Sequence, residues 1–132
     1  MNTEQGTILL VEDDIKLREI TAVLLRSYGY DVIETSDAQN VRKIIQSHHK
    51  DIQILITDLV MPGKLGFDVA LEATSILPHI QIIVMSGLGP DIIPDNIKKM
   101  NCTFLSKPVT AQELISAVRL EMRKRYDNRI AS

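Results

Sequence analysis

The sequence predicts an α/β domain in which one five-stranded parallel sheet is covered by helices on both faces. Three observations lead there. Five strand-sized apolar runs recur along the chain, TILLV (7–11), YDVIET (30–35), IQILIT (52–57), IQIIVM (80–85) and CTFLS (102–106). Segments with helical spacing separate them, which is the alternation of βαβ units. The chain has 132 residues, 45% hydrophobic and 24% charged, enough for one core and too few for two.

The elements follow in order. TILLV is unbroken and apolar, as a buried strand should be. A first helix is marked by Leu17, Ile20 and Leu24 and closed by Gly29 as a C-cap. The second run is diluted by Asp31 and Glu34, which suits an edge strand. Ser36 and Gln39 then have capping-box spacing ahead of Val41, Ile44 and Ile45, which share one helical face. Ile54, Leu55 and Ile56 form the centre of the third run, which ends on a carboxylate, Asp58, just before a Pro62-Gly63 break. A third helix runs from Phe67 through Ala70, Leu71 and Thr74 to Leu77, where Pro78 stops it.

Gly87, Gly89, Pro90 and Pro94 crowd the stretch 87–101 and leave room only for a short helix around Ile97 and Met100. The fourth crossover is therefore expected to be irregular. After the fifth run, Thr110 and Glu113 repeat the capping box before Leu114, Ala117, Val118 and Met122. We expect a domain over 7–125 with tails at 1–6 and 126–132. There is no internal repeat, low-complexity tract or linker.

Composition narrows the function. A net charge of -2 gives no general attraction to polyanions, so neither nucleic acid nor an anionic membrane is expected as a direct partner. Arg119, Arg123, Lys124 and Arg125 read as a solvated helix face. The single cysteine, Cys102, can form no internal disulfide and has no zinc-ligand spacing around it, which points to a reducing compartment. MNTEQG has no basic n-region, and no stretch approaches the ~20 apolar residues of a membrane helix. A cytoplasmic domain is expected. His48 and His49 read as solvent-facing beside Lys50, and His79 is isolated, so none supplies a metal site.

Function is carried by where the polar residues fall. Glu12, Asp13 and Asp14 follow the first strand, Asp58 ends the third, Ser86 follows the fourth and Lys107 the fifth. All lie at carboxyl ends. Ligands of open parallel sheets bind beyond those ends, where strand order reverses, and in the order 2-1-3-4-5 that crevice lies between strands one and three. Glu12, Asp13 and Asp58 would converge there and repel one another unless a proton or cation intervenes. Oxygen-only ligands favour Mg²⁺, which takes one or two carboxylates plus phosphate oxygens. A carboxylate can also act as a nucleophile toward phosphorus, with a metal and a lysine offsetting the transferring charge. Singly, Asp13 or Asp14 could be a helix N-cap, Asp58 a turn residue, Ser86 a small residue before glycine and Lys107 a surface lysine. Together, four coincidences at one sheet edge favour a site.

ILLVEDD with Glu12 and Asp13, TDLVMPGKLG with Asp58, VMSG with Ser86, and FLSKP with Lys107 and Pro108 closely resemble the receiver domain of two-component response regulators. The resemblance covers about Thr7 to Arg125. It implies a single doubly wound, flavodoxin-like domain, and the family is itself an instance of the 2-1-3-4-5 order. It further implies that Asp58 is the phosphoacceptor, that Asp13 binds Mg²⁺ directly and Glu12 through water, and that the backbone carbonyl of Val60 adds a ligand. Ser86 and Lys107 would hold phosphoryl oxygens, Ser86 and Phe104 would form the switch, and the Lys107-Pro108 peptide would be cis. The donor would be a phosphohistidine on a sensor histidine kinase or a histidine phosphotransfer protein. Output would pass to a downstream protein, or a second copy, through the face made by the fourth helical segment, the fifth strand and the last helix.

The chain departs from the family at Leu65, where an acid is common, at Asn101, near a usual glycine, and in the stretch Gly87 to Pro94. That stretch is expected to be mobile without phosphate and more ordered with it. Three rival functions make different demands on the sequence. A phosphorylation-independent interaction module would not need the full polar set. A haloacid-dehalogenase-like phosphatase needs a second acid where Val60 stands. A flavin carrier wants a Ser/Thr/Gly-rich loop where this chain has Glu12 and Asp13. After Arg125 only YDNRIAS remains, which fits either a stand-alone receiver or a piece of a longer regulator.

Overall fold

Alternating apolar side chains with both faces to bury produce the central strands of a computed structural model describing residues 6–48, 52–89, 95 and 101–131. The elements are β1 (Thr7–Val11), α1 (Ile15–Ser27), β2 (Asp31–Thr35), a 3₁₀ turn (Ala38–Asn40), α2 (Val41–His48), β3 (Ile52–Asp58), β4 (Val60–Met61), β5 (Lys64–Leu65), α3 (Gly66–Ile76), β6 (Gln81–Ser86), β7 (Thr103–Ser106) and α4 (Ala111–Ala131). The main sheet is parallel in the order β2-β1-β3-β6-β7. With the small β4-β5 ribbon set aside, this is the expected 2-1-3-4-5. The expectations for 90–94 and 96–100, including the short helix around Ile97 and Met100, lie outside the described residues.

Each face of the sheet has its own core. Leu9, Val11, Leu55, Ile82 and Val84 point toward α2 and α3, where they meet Val41, Ile45, Val69, Ala70 and Ala73. Ile8, Leu10, Ile54, Ile56, Ile83 and Met85 point toward α1 and α4, against Ala22, Leu25, Leu114, Ile115 and Val118. Register then levels the carboxyl ends, since Val11 lies opposite both Thr35 and Thr57, Asp58 opposite Met85, and Ser86 opposite Ser106. Residues just past those positions share one rim.

Local chemistry differs from expectation at three places. In α1 the buried residues are Thr21, Ala22 and Leu25, while Ile20 is 68% exposed and Leu17 is also exposed. The spacing identified the helix, but the apolar stripe that signalled it turns largely outward. Before α2, Asp37 caps the 3₁₀ turn by accepting from Gln39 N at 2.8 Å, in place of Ser36. Asp37 holds the extended backbone that a cap needs, at φ -122 and ψ 114. At the other end, α4 continues to Ala131, so most of the segment read as a C-terminal tail is helical. No Gly or Pro occurs between Ala111 and Ala131 to stop it. The second capping box forms reciprocally, with Thr110 N donating to Glu113 Oε1 at 3.0 Å and Glu113 N to Thr110 Oγ1 at 3.1 Å.

Between β3 and α3 the chain makes a two-residue hairpin, with Met61 paired to Lys64 around Pro62 and Gly63. Gly63 has φ 78, which suits the second central position of a type II turn after proline. The hairpin closes where Gly66 N donates to Leu59 O at 2.7 Å. A Cβ on Gly66 would stand 1.8 Å from the Asp58 carbonyl oxygen. Gly66→Ala is therefore expected to lower stability by about 1–3 kcal/mol, read from urea unfolding, because backbone must move to admit the methyl. An unchanged urea midpoint would refute that packing argument.

Candidate functional site

Four strand ends, those of β1, β3, β6 and β7, deliver the polar residues to the rim of the sheet. The β1–α1 loop is anchored by Glu12 N donating to Thr35 O at 3.1 Å, and α1 begins on Asp14, whose Oδ1 accepts from Leu17 N at 3.0 Å. Asp58 is the last residue of β3, and Leu59 N donates to Met85 O at 2.8 Å. Lys107 N donates to Ser86 O at 2.8 Å, which places the lysine beside β6. Together Glu12, Asp13, Asp14, Asp58, Val60, Ser86 and Lys107 line an open cleft of about 460 Å³ floored by Met85.

Lys107 stands between two buried acids. Its Nζ lies 2.7 Å from Asp58 Oδ1 and 3.1 Å from Glu12 Oε1. Glu12 is 1% exposed and Asp58 4%, whereas Asp13 is exposed to solvent. Glu12 Oε2 also accepts from Asp14 N at 3.2 Å. The Lys107 contact to Asp58 is close but not aligned as a hydrogen bond, so buried Oδ1 has no hydrogen-bond partner.

Burial sets the protonation of this cluster. Desolvation, helped by the hydrogen bond and negative charge of Glu12, pushes Asp58 up to about 7 against the pull of Lys107. Burial also pushes Glu12 upward, but hydrogen bonds from the Asp58 carboxyl, Asp14 N–H and Lys107 outweigh it and hold Glu12 below its ordinary value. Desolvation opposes the charge on Lys107, and its contacts with Asp58 and Glu12 overcome that and raise it. Near neutrality the two acids thus share a proton that a cation could replace.

One oxygen each from Glu12, Asp13 and Asp58 lies within 4.8 Å of the others. An all-oxygen set with an orphaned Oδ1 and open solvent on the Asp13 side fits a hard ion that keeps several waters, as Mg²⁺ does. The family model for the response regulator receiver domain matches residues 8–119. This chain belongs to the receiver family. The family is a signalling domain. The receiver is 36% identical to nodulation protein W of Bradyrhizobium diazoefficiens over 124 residues, which are 89% of this chain and 52% of that protein. It therefore spans about half the length of that relative. It is 30% identical to the response regulator receiver protein CpdR of Brucella abortus, covering 84% of this chain and 92% of CpdR. A receiver domain crystal structure from Clostridium thermocellum superposes with a TM-score of 0.84 at 28% identity, covering 92% of this chain and 97% of that one.

The fold brings most of the sequence-derived candidates to this receiver's cleft, though in differing states. Ser86 is buried, and its Oγ accepts from Leu88 N at 2.9 Å, so the hydroxyl is engaged with its own loop. The Lys107-Pro108 peptide is cis. Phe104 does not line the cleft; it sits in β7, half-buried against the α2/α3 core. His48 and His79 are exposed and precede β3 and β6, at the opposite end of the sheet. Sequence reasoning passed over Asp14 N–H, a donor to Glu12, and Arg18, whose Nη1 donates to Glu12 O at 3.1 Å. Neither carries a motif, because a backbone amide is the same in any residue and one arginine in an exposed helix is ordinary.

The raised Asp58 makes stability depend on pH with a definite sign. The folded chain keeps a proton on Asp58 up to about 7, while the unfolded chain loses it near 3.8. That contribution is complete below about 3.8 and is lost as pH rises through about 7. Glu12 acts oppositely, its contribution being lost as pH falls through its depressed value. Asp58→Asn, neutral at every pH, should exceed the wild type in urea midpoint most above neutrality, with the gap closing toward pH 4. A gap independent of pH would contradict the assignment.

Proposed function

We propose that this receiver takes a phosphoryl group from a phosphohistidine of a sensor histidine kinase or phosphotransfer protein onto Asp58, with Mg²⁺ as cofactor. The observation that carries the reading is the buried Asp58 Oδ1, orphaned as a hydrogen-bond acceptor and 2.7 Å from Lys107 Nζ. In the transfer an Asp58 carboxylate oxygen attacks phosphorus, the P–N bond to the donor histidine breaks and a P–O bond forms. Asp13, Glu12, Asp58 and the Val60 carbonyl would hold the ion, which offsets charge on the transferring oxygens. Lys107 is close enough to follow a phosphoryl oxygen from its present seat on Asp58. In this role the domain promotes its own phosphorylation and dephosphorylation and is not a turnover enzyme.

The signal is a population shift. Ser86 Oγ now accepts from Leu88 N, and recruiting its hydroxyl to a phosphoryl oxygen would release that turn. The loop after β6 would then move, and Phe104, half-buried on β7, could follow it inward. The altered face would serve a downstream protein or a second copy. We assign the receiver to 7–125, place it in the cytoplasm with its kinase, and expect no direct contact of this domain with nucleic acid or membrane. Among the described residues no helix is long and apolar enough to cross a membrane.

Incubation with acetyl phosphate or a phosphorylated kinase and Mg²⁺ should add the mass of one phosphoryl group. Asp58→Asn or chelation of the metal should abolish the gain. Absence of a gain with every donor would overturn the reading.

A further inference from the structure

Arg18 lies one turn into α1 and reaches back to the peptide that joins the two acids of the β1–α1 loop. Its Nη1 donates to Glu12 O at 3.1 Å, while on the other side of the same residue Glu12 N donates to Thr35 O at 3.1 Å. Glu12 is thereby held at both backbone groups. The plane of the Glu12–Asp13 peptide sets the direction in which the Asp13 Cα leaves, so Arg18 constrains where the Asp13 carboxylate can go.

The arginine is itself held. Its Nε lies 3.4 Å from Glu34 Oε1, and Glu34 Oε2 lies 3.1 Å from Arg26 Nη1. Arg26 Nη2 also donates to Val32 O at 2.9 Å, tying the far end of the chain of contacts to the backbone of β2. The side chains of Arg18 and Glu34 are only 17% and 26% exposed, so solvent screens this pair less than an ordinary surface pair. An edge strand with no residue in the cleft is thus wired to it. Of the two acids that dilute β2, Glu34 has a use here.

We propose that Arg18, braced on Glu34, is a positioning residue for the Mg²⁺ ligands Glu12 and Asp13. The proposal rests on the metal-binding part of the function above. It requires an arginine, because a planar fork can grip a carbonyl and a carboxylate from separate nitrogens, whereas a lysine ammonium is a single point. Arg18 touches neither the ion site nor the reacting atoms; it acts through the peptide it holds.

The chain contains no tryptophan, so calorimetry is the natural readout of Mg²⁺ binding by the full chain. Arg18→Met should raise the dissociation constant for Mg²⁺ about 10-fold, the low end for loss of a group supporting a metal ligand. Arg18→Lys should fall between, and serves if the methionine variant unfolds. Glu34→Gln should weaken binding less, and should add little once Arg18 is replaced, as expected of residues acting in series. With acetyl phosphate, Arg18→Met should need more Mg²⁺ for half-maximal labelling yet reach the wild-type rate at saturation. Binding within about twofold of wild type, with Asp13→Asn binding lost, would overturn the role of Arg18 alone. Failure of the wild-type chain to bind Mg²⁺ would overturn the metal reading and this inference together. A labelling rate that stays low at saturating Mg²⁺ would make Arg18 more than a positioning group and would also overturn it.

Discussion

Two carboxylates are buried against each other where β1 and β3 end, and a single ammonium reaches both. Desolvation makes that arrangement costly when both acids are ionised, since removing water from charge is worth several kcal/mol per group. The molecule offsets it in part with Lys107 and in part with a proton kept between Glu12 and Asp58. Neither remedy is complete. An Asp58 Oδ1 that has the charge of Lys107 nearby but no hydrogen bond is what remains, and the chemistry proposed for the site consists of completing it.

The rest of the fold can be understood as holding that cluster still. Register across β1, β3 and β6 brings the strand ends level, so acids from separate segments meet without long side chains. Two cores of Leu, Ile and Val, one on each face, fix that register, because a slip by one residue would exchange the faces. Close approach of Gly66 to the Asp58 carbonyl lets the hairpin fold back tightly beside the phosphoacceptor candidate. Lys107 is brought in by backbone pairing of its own N–H with Ser86 O. Stability of the sheet and the unfavourable charge at its rim are therefore opposing consequences of one geometry, a pattern common where a site must be preorganised.

A second polar assembly lies at the far end and has a different character. Glu121 of α4 is fully buried and accepts from Gln81 Nε2 at 2.7 Å, from Thr103 Oγ1 and from Lys124 Nζ at 3.0 Å. Its oxygens are satisfied, so it resembles a structural tie between α4 and the starts of β6 and β7. Burial, with the charge of Glu121, raises the neighbouring Cys102 thiol to about 11, which keeps it an inert partly buried residue. Both oxygens of buried Glu121 accept hydrogen bonds, whereas Oδ1 of Asp58 at the rim accepts none. That contrast separates scaffold from site better than burial alone.

How much was legible in the sequence follows from the range of each interaction. Strand positions, the alternation with helices, the second capping box and the order of polar residues at strand ends are local patterns, and the chain writes them openly in TILLV, IQILIT, Thr110 with Glu113, and Asp58. Orientation was harder. Leu17 and Ile20 gave a true helical period, yet which side of α1 faces the sheet depends on what packs against it. Asp37 displaced Ser36 as a cap through a backbone angle that no spacing rule contains. Sequence by itself determined which residues could do the chemistry, because residue type and place along a strand are one-dimensional facts. Only the tertiary structure decided that Lys107 would bridge Glu12 and Asp58, that Asp58 would keep its proton to about 7, and that Arg18 would hold the Glu12 carbonyl. Those depend on burial and on distances between segments far apart in the chain, and desolvation acts on a position in space.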